Sequence, residues 1–349
     1  MTETTGGAPA GATGGRFAFL IPVVHPEGSK ISDYGVIERA LRESLRSYTS
    51  QTHRDVAVVV VCHRLPAWAA EFRERVRFVV LGAHPHFAAN ANDVEIDKGM
   101  KYVLGALQAL VVEGADFVMP VDGDDFLRVD LAEHVLARDL GGHDGFLVCE
   151  GYNALVRVKP ASFEIVQAFR VQDFDRTCGT CRIFARAALV RAIERLDPGL
   201  LAMADRLVPA ADGSIAAAPE LLDRLWRATE PATGDYWGTI RLLGRHIRQG
   251  GAFDLVPLAA PLAGKACGHG NHDGPSSGGV RWSGVQGCID TREFARQFGI
   301  LGGAIELGGR DRRLRLRGAA IGALNRLRRA LGVQFGYERQ HARWRKAPS

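Results

Sequence analysis

Three carboxylates stand within four residues of the chain, and these are the side chains best suited to chemistry. Asp122, Asp124 and Asp125 directly follow an apolar run at residues 117–121, in the segment DFVMPVDGDDFL. Carboxylates crowded this closely repel one another, and a bound divalent cation relieves that repulsion. Hard oxygen ligands suit Mg²⁺ or Mn²⁺, ions that often bridge a protein to the phosphates of its substrate. The alternative is an acidic turn in which Asp124 or Asp125 caps the next helix.

The segments before these carboxylates predict an alternation of strands and helices. Continuous apolar runs predict four buried strands, at residues 17–24, 55–62, 76–81 and 117–121. Apolar positions at helical spacing predict a helix from Ser32 or Asp33 to Ser50 and another over residues 98–112. Because the runs do not alternate with polar residues, both faces of the sheet are expected to be covered. We therefore predict an α/β fold with a Rossmann-like, mostly parallel central sheet flanked by helices, and with the carboxylates at its ligand-binding edge.

The rest of the chain predicts a mixture of shorter elements. Strands are expected at residues 145–158, 163–170, 178–185 and 252–257. Helices are expected at residues 131–140, 187–196, 220–227 and 235–249. Residues 201–218 are alanine-rich and irregular, and residues 265–287 are rich in glycine, so both segments are predicted to be loops.

Composition places the chain among ordinary globular proteins. It has 349 residues, of which 46% are hydrophobic and 24% charged. No apolar run approaches the roughly 18–20 residues that span a bilayer. Residues 1–15 lack the basic and apolar regions of a secretory signal and predict a disordered leader. Six cysteines without such a signal indicate reduced thiols and a cytoplasmic protein.

The positive charge of the chain belongs to its last forty residues. Residues 310–349 contain twelve Arg or Lys and two acids, a net charge of +10, and since the whole chain carries +5, residues 1–309 carry −5. The segment RDRRLRLRGAAIGALNRLRRAL alternates arginine with leucine, isoleucine and alanine. It predicts a basic amphipathic helix on an anionic membrane surface, or a solvated or oligomerising helix. A nucleic-acid patch ranks lower because few aromatic residues are interleaved for stacking.

Two common phosphate-binding motifs are absent from the sequence. No Gly-x-Gly-x-x-Gly follows the first strand, and no Gly-x-x-x-x-Gly-Lys-Ser/Thr occurs, which disfavours dinucleotide and P-loop folds. Phosphate must then be bound by a metal and by cationic side chains. Cys178 and Cys181 form a C-x-x-C pair that Cys267 and His269 would complete as a zinc site, but a single C-x-x-C is weak evidence.

Several segments of the sequence resemble those of a known family. The strand at Phe17, the helix ERALRESLRSYTSQ at residues 38–51, and DFVMPVDGDDFL are similar to glycosyltransferase family 2 and its GT-A relatives. The resemblance covers residues 16–300. It implies a nucleotide-sugar half at 16–127 that ends in an Asp-x-Asp motif, an acceptor-binding half at 128–300, and a basic helical tail at 301–349.

The resemblance also implies roles for individual residues. Asp124 matches the principal metal ligand, and Asp122 lies near the ribose or the metal. Asp235, in the segment TGDYW, matches the catalytic base of inverting members; the alternative is an acid stabilised by a helix N-terminus. The segment CGHGNHD lies where GT-A enzymes often bring a histidine to the metal, so His269 or His272 is expected to bind it, with His269 preferred. The alternative is a loop with incidental histidines.

One strand departs from the family pattern. In the family, the second strand usually ends in acids that bind the nucleoside, whereas in this chain it ends in Cys62-His63-Arg64. Either Asp93 or Asp97 then contacts the base, or the base selectivity differs. Lys98, or Lys101 one turn later, supplies a charge for the phosphates; the alternative is a solvated helix lysine.

These expectations combine into one hypothesis about function. It is a hexosyltransferase-like, inverting glycosyltransferase that uses Mn²⁺ or Mg²⁺ and a nucleoside-diphosphate sugar, with a glycan or glycolipid as acceptor. It would act in the cytoplasm, on the inner face of the cell membrane if residues 310–346 bind lipid. The alternatives are a GT-A-like nucleotidyltransferase, disfavoured because no Gly-rich basic turn follows the first strand, and a non-catalytic nucleotide-sugar or glycan-binding protein.

Overall fold

The elements of the fold are taken from a computed structural model. It describes residues 14–27, 33–82, 91–159, 162–228, 243–244, 247, 253–268, 284–301, 305–308 and 312–330, with the backbone alone at 91–93, 312 and 329. The helices are α1 Tyr34–Thr49, α2 Ala91–Leu107, α3 Leu131–Leu136, α4 Arg186–Leu196, α5 Pro219–Arg227, α6 Thr291–Gln297 and α7 Arg312–Ala330. The strands are β1 Phe17–Pro22, β2 Val56–Cys62, β3 Val76–Val80, β4 Phe117–Pro120, β5 Phe126–Leu127, β6 Gly145–Val148, β7 Glu150–Val158, β8 Phe163–Gln172, β9 Arg182–Ala185, β10 Leu207–Pro209, β11 Ile215–Ala217, β12 Leu255–Leu258, β13 Ala263–Cys267, β14 Val285–Ile289 and β15 Ile305–Leu307.

The first sheet is mostly parallel and carries the carboxylates. Within the described residues its strand order is β10-β11-β3-β2-β1-β4-β9-β6-β12. Strands β1 to β4 are mutually parallel, whereas β9 runs antiparallel between β4 and β6. The chain builds outward from β1 to β3 and then returns to place β4 on the other side of β1. Open α/β sheets bind ligands outside the carboxyl ends of the strands at such a reversal of strand order, and we call this edge, between β1 and β4, the crevice.

Both faces of the first sheet are covered, as the unbroken apolar runs predicted. Phe17, Phe19 and Ile21 of β1 pack on the face that holds α1, and the intervening Ala18 and Leu20 pack on the face that holds α2. Successive side chains of a strand point to opposite faces, so one apolar run fills two cores. The prediction of a Rossmann-like α/β fold is thereby confirmed.

A second sheet lies beside the first and is mixed in direction. Its order is β14-β8-β7-β13-β5, and β15 pairs with residues 163–165 of β8, on the edge of β8 that β14 occupies further along. A separate core forms between this sheet, α1 and α6, in which the rings of Phe294 and Phe298 of α6 stack against each other with centroids 4.3 Å apart. The β4–β5 turn passes from the first sheet to the second. The predicted carboxylates therefore lie where the two sheets meet.

Several of the predicted elements differ from those in the structure. The segment at 145–158 is two strands, β6 and β7, in different sheets, and α2 begins at Ala91 rather than at residue 98. Helix α2 ends in a turn of π-helix, Gln108–Val112. Residues 201–218 are not irregular: they form a 3₁₀ helix, Leu201–Arg206, followed by the β10–β11 hairpin, which extends the first sheet because β11 pairs with β3.

The predicted glycine-rich loop at 265–287 is wrong at both ends. Residues up to Cys267 belong to β13, and residues from Val285 belong to β14. Both strands pair with neighbours in the second sheet, whose backbone hydrogen bonds hold sequences of low strand propensity, AGKAC and VQGCI. Residues 269–283 between them lie outside the described residues. The same is true of the predicted leader apart from Gly14 and Gly15, and of most of the predicted helix at 235–249.

Helix α7, from the basic end of the chain, packs directly on β14. Gly318 and Gly322 face this strand so closely that an added Cβ would lie 2.5 Å from Cys288 Sγ and 2.2 Å from the Gln286 carbonyl oxygen, respectively. The Asn325 side-chain amide donates to the Val285 carbonyl at 3.0 Å. Among the helices in the described ranges, none is both long and apolar enough to cross a membrane.

Candidate active site

The acidic turn sits at the carboxyl edge of the first sheet, at the crevice between β1 and β4. Its backbone continues the β1–β4 pairing, since Val121 N–H donates to the Leu20 carbonyl at 2.9 Å. The Asp122 and Asp124 side chains are partly exposed, whereas Asp125 is buried. The three carboxylates therefore differ in role: two face the crevice and one faces the protein interior.

Helix α1 holds this turn from beneath through two consecutive residues. The buried hydroxyl of Tyr48 donates to the carbonyl oxygens of Asp122 at 2.6 Å and of Asp125 at 2.9 Å. Ser47 Oγ donates to the Leu127 carbonyl at 2.8 Å and accepts from the Leu127 N–H at 2.9 Å. These bonds fix the backbone on both sides of Asp124, so the carboxylates are presented from a rigid turn.

Asp125 ties the turn to two other segments. Its Oδ2 accepts from the Thr180 hydroxyl at 2.5 Å and from the Cys178 thiol at 3.1 Å, and its Oδ1 accepts from the Ala266 N–H of β13 at 3.2 Å. Burial raises the pKa of Asp125, as do the nearby carboxylates of Asp124 and Asp122. With every oxygen engaged by protein donors, Asp125 acts as an anchor and not as a metal ligand.

The loop before β9 also touches the exposed carboxylate of Asp122. Thr180 Oγ accepts the Asp122 N–H at 2.9 Å while it donates to Asp125, so one hydroxyl joins the two aspartates. At Gly179, an added Cβ would lie 2.9 Å from Asp122 Oδ2. The small residues at 179 and 180 therefore allow this loop to lie directly against the acidic turn.

Two lysines place positive charge beside the acidic turn. Lys98 Nζ of α2 lies 3.1 Å from Asp122 Oδ1, and the Lys98 side chain is partly exposed. Lys265 Nζ of β13 donates to the Thr177 carbonyl at 2.9 Å. Burial opposes the charged form of Lys265, but nearby acidic groups, Asp125 and Asp124 among them, raise its pKa. A polyanion that enters the crevice would meet a cation from each of two elements.

Asp97 and Lys101 lie deeper and bind each other. Lys101 is 1% exposed, and its Nζ donates to Asp97 Oδ2 at 2.5 Å and to the Val23 carbonyl at 2.6 Å. Asp97 Oδ1 lies 2.7 Å from His63 Nε2 at the end of β2. We call this buried cluster of Asp97, Lys101 and His63 the β1–β2 triad. Both carboxylate oxygens of Asp97 and the ammonium group of Lys101 are bonded inside the protein, and neither group reaches the surface. In this structure Asp97 therefore cannot contact a nucleotide base, and Lys101 cannot contact a phosphate.

The triad links the loops that follow the first two strands. His63 Nδ1 lies 3.2 Å from the Gly82 carbonyl beyond β3, and the His25 ring beyond β1 meets the His63 ring edge-on at 4.3 Å. The family pattern expects a surface acid after β2, whereas here a buried histidine pairs with an acid from α2. The charged residue that does reach the surface there is Arg64, which stacks over the Tyr34 ring at 5.1 Å.

The donor set of the acidic turn fits a magnesium-like ion held jointly with a substrate. Within the described segments, no group of three or more His, Cys, Asp and Glu side chains converges on a metal-sized position. Two partly exposed carboxylates, Asp122 and Asp124, are what Mg²⁺ uses in proteins when substrate phosphates and waters complete its coordination. The two residues would hold Mg²⁺ or Mn²⁺ in this way.

Several expected site residues lie outside the described part of the chain. Asp235, His269 and His272 fall in undescribed ranges, and for Asp93 only the backbone in α2 is described.

The C-x-x-C pair serves hydrogen bonding within the described residues. Cys178 donates to Asp125, and the Cys181 thiol donates to the Cys178 carbonyl at 3.1 Å. Burial raises the pKa of Cys178, and it raises that of Cys181 to about 12, so both groups are thiols in this structure.

Three residues of this site were not expected from the sequence: Tyr48, Thr180 and Lys265. Tyr48 lies at an apolar position of α1, and nothing in the sequence indicates that its hydroxyl points to the turn. Thr180 lies in a C-G-T-C segment, in which the cysteines are the residues that indicate a possible metal site. Lys265 lies in a segment predicted to be loop.

Comparisons with known proteins identify no family. No protein-family profile matches the chain, and no curated protein matches it. Among solved structures, mannose-6-phosphate isomerase from Helicobacter pylori is similar with 12% identity and a TM-score of 0.32, over 60% of this chain and 88% of the other. A protein described as mannose-1-phosphate geranyltransferase from Thermus thermophilus is similar with 14% identity and a TM-score of 0.30, over 61% of this chain and 68% of the other. At these TM-scores neither likeness carries weight for the function of this chain.

Proposed function

We propose that the protein is a metal-dependent glycosyltransferase of GT-A type that moves a sugar from a nucleoside-diphosphate sugar to a glycan or glycolipid acceptor. The observation that supports it most is the position of the acidic turn. Two partly exposed carboxylates, Asp122 and Asp124, stand at the strand-order reversal of a parallel sheet, where open α/β sheets bind ligands. Lys98, 3.1 Å from Asp122, adds the charge that a diphosphate requires.

In the proposed chemistry, each residue of the site has a separate role. The bond from the anomeric carbon to the diphosphate oxygen breaks, and a bond to the acceptor oxygen forms. A divalent cation held by Asp122 and Asp124 would act as a Lewis acid for the diphosphate leaving group. Lys98 contacts the phosphates as a point charge. Asp235 takes the proton of the acceptor hydroxyl, since a hydroxyl is a poor nucleophile unless a base removes its proton.

The structure refines which residues we assign to the nucleotide. Lys98 is preferred to Lys101 because Lys101 is buried and bound to Asp97 and the Val23 carbonyl. The β1–β2 triad then has a positioning role: it holds the loops after β1 and β2 at the rim where the nucleoside would lie. His269 and His272 remain the proposed third protein ligand to the metal.

A panel of sugar nucleotides tests this proposal. Thermal unfolding is measured with UDP-, GDP-, CMP- and dTDP-sugars, each with and without Mn²⁺, and nucleoside diphosphate release is measured in parallel. Stabilisation by one nucleotide class that requires Mn²⁺, with slow release of the nucleoside diphosphate, is the expected result. Absence of stabilisation by all of these ligands contradicts the proposal.

Adding a nucleoside triphosphate together with a sugar 1-phosphate to this panel separates the alternatives. A nucleotidyltransferase would instead release pyrophosphate from a nucleoside triphosphate and a sugar 1-phosphate. A binding protein would be stabilised by a sugar nucleotide but release no nucleoside diphosphate.

A further inference from the structure

Helix α7 has a second face, opposite the one that packs on β14. Its docked face contains Gly318, Gly322 and Asn325, which are buried. At 3.6 residues per turn, Leu316 and Leu327 fall on the opposite side of the helix, and they are 62% and 56% exposed. We call the exposed residues Leu316, Ala320, Ala323, Leu324 and Leu327 the α7 stripe.

The α7 stripe is unusual for the surface of this protein. Of the seven large hydrophobic side chains that are exposed among the described residues, three lie on α7, and Leu324 is the third, at 44%. Contiguous apolar area of this kind marks an interaction surface more often than scattered exposed residues do. The close approach of Gly318 and Gly322 to β14 fixes the rotation of the helix, so the stripe faces outward because of the packing.

Arginines border the stripe. At 100° per residue, Arg313, Arg317 and Arg328 fall along the Leu324 edge of the stripe and Arg326 falls beyond its other edge. All four are exposed, and helix α7 contains no acidic residue. The long arginine stems can lie along an apolar phase while their guanidinium groups reach phosphates at its edge. A helix with leucines on its outer face and cations on both sides has the composition of an interfacial, membrane-lying helix.

We propose that the α7 stripe and its arginines form a docking surface for an anionic lipid bilayer, parallel to the membrane plane. Charge decides between this occupant and a second copy of the chain. A symmetric dimer through α7 would bring two acid-free, arginine-bordered faces together, and like charges across an interface are unfavourable. A nucleic acid would leave the leucines in water, and the stripe has no aromatic side chain on which bases would stack. An anionic bilayer suits both residue types, because its apolar phase buries the leucines and its phosphates pair with the arginines.

This surface is independent of the proposed chemistry, but it has a consequence that rests on the proposed function. A glycosyltransferase held on a bilayer by α7 would meet its acceptor there, so the docking surface favours a lipid-linked glycan over a soluble one.

Vesicle flotation of the full-length protein tests the proposal without any sugar nucleotide. The protein is expected to float with vesicles of phosphatidylcholine and phosphatidylglycerol, and much less with phosphatidylcholine alone. The double variant Leu316→Ser/Leu327→Ser removes the apolar contact and is expected to weaken binding about ten-fold or more. The triple variant Arg313→Gln/Arg317→Gln/Arg328→Gln is expected to weaken it by roughly five-fold for each arginine.

Matched variants elsewhere on the surface control for these changes. Val112→Ser/Val208→Ser removes two exposed valines, and Arg54→Gln/Arg138→Gln/Arg157→Gln removes three exposed arginines. Both controls are expected to float like the wild type, and all variants are expected to keep the wild-type melting temperature.

Three results would overturn the membrane assignment. The wild type fails to float with either vesicle, the α7 variants float as well as their controls, or light scattering shows a wild-type dimer that becomes a monomer in Leu316→Ser/Leu327→Ser. Donor binding is measured in vesicle-free solution. Loss of vesicle binding by the α7 variants with normal donor binding supports the surface, whereas absence of donor binding in the wild type contradicts only the proposed function.

Discussion

The contact between Lys98 and Asp122 is the one that an arriving diphosphate would change most directly. In this structure the ammonium group pairs with a carboxylate that we assign to the metal. If a metal bound that carboxylate, the Lys98 ammonium would exchange this partner for the phosphates. Lys98 is thus placed to exchange one negative partner for another, and its effect should depend on the phosphates of the ligand.

Replacing Lys98 tests this exchange. A hydrogen bond to a charged group is worth about 1.5–3 kcal/mol, so Lys98→Gln is expected to weaken the binding of the sugar nucleotide about ten-fold or more. Binding of the nucleoside without phosphates should not change. Calorimetry in the presence of Mn²⁺ measures both affinities, and Lys159→Gln, at a lysine that pairs with Glu306 near β8, serves as the control. Equal losses for nucleotide and nucleoside would contradict a phosphate contact.

The β1–β2 triad makes a prediction about stability. Asp97→Asn leaves the buried ammonium of Lys101 without a charged partner, and breaking a buried ion pair costs about 3–5 kcal/mol. Urea denaturation at neutral pH measures the loss. The exposed Asp223→Asn on α5 is expected to change the free energy of unfolding by less than about 0.5 kcal/mol. A loss for Asp97→Asn no larger than for Asp223→Asn would show that the triad does not stabilise the fold.

The same residue predicts a pH dependence. Burial alone would raise the pKa of Asp97, but Lys101 and His63 outweigh burial and hold it below its ordinary value of 3.8. Because the pKa of Asp97 is lower in the folded than in the unfolded protein, its ionised carboxylate stabilises the fold fully above pH 3.8. This stabilisation is lost as the pH falls through the lower pKa of the folded protein. Urea midpoints of the wild type from about pH 7 down to about pH 3 should fall more steeply than those of Asp97→Asn. Parallel pH profiles for the two proteins would contradict the assignment.

At the scale of elements, the acidic turn is positioned by neighbours that are distant in sequence. Helix α1 supports it through Tyr48, the loop before β9 through Thr180, and strand β13 through the Ala266 N–H. Each bond goes either to the turn backbone or to Asp125. The carboxylates of Asp122 and Asp124 stay partly exposed, while Asp125 fastens the turn.

Thr180 offers the sharpest test of this support. Thr180→Val keeps the shape but leaves the Asp122 N–H and Asp125 Oδ2 without this partner, at a cost of about 1–3 kcal/mol. Both the melting temperature and the Mn²⁺-dependent donor affinity are expected to fall, and Thr180→Ser is expected to restore both. Thr177→Val is the matched control, because that hydroxyl donates to the Phe174 carbonyl and not to the turn. A donor affinity that survives Thr180→Val would remove the loop from the site.

The docking of α7 gives a second prediction at this scale. An added methyl group at Gly322 would lie 2.2 Å from the Gln286 carbonyl oxygen, so Gly322→Ala is expected to destabilise the protein by about 1–3 kcal/mol although alanine favours helix. At Gly287 on the facing strand an added Cβ meets open space, so Gly287→Ala should be nearly neutral. Chemical denaturation compares the two. Stabilisation by Gly322→Ala would contradict the packing of α7 on β14.

Over the whole molecule, strands β1 to β4 of the first sheet were predictable, whereas β13 and β14 of the second sheet were not. Strands β1 to β4 are buried on both faces and therefore read as unbroken apolar runs, and the predicted cap Asp33 does accept the Gly35 N–H at 2.8 Å. Strands β13 and β14 contain Gly, Gln and Lys, and they are strands because of their neighbours in the sheet. Long-range pairing of this kind leaves little local pattern.

The candidate site was predictable to the same degree. The sequence indicated Asp122 and Asp124 because acids after a buried strand lie at a known edge of the sheet. Spacing alone did not separate Asp125 from Asp124, since two adjacent aspartates differ only in which side of the turn they face; the preference for Asp124 came from the family resemblance. It also placed Asp97 and Lys101 at the ligand, whereas helical spacing brings them together inside the protein at i and i+4.

The proposed division into donor and acceptor functions predicts how Asp235 should behave. Asp235→Asn removes the proposed base but no proposed ligand of the metal or nucleotide. Transfer to the acceptor is expected to fall by about 10²-fold or more, while Mn²⁺-dependent donor binding stays at the wild-type value. Radiolabel transfer and calorimetry measure the two quantities. Normal transfer by Asp235→Asn would assign the base to another residue.

Calorimetry on Asp124→Asn tests the central claim most directly. The wild type is expected to bind a sugar nucleotide only with Mn²⁺ present, and Asp124→Asn to lose that binding while its melting temperature without ligand is unchanged. Asp223→Asn should bind like the wild type. If Asp124→Asn binds Mn²⁺ and the sugar nucleotide as tightly as the wild type does, the aspartates after β4 hold no cation and the proposed function is wrong.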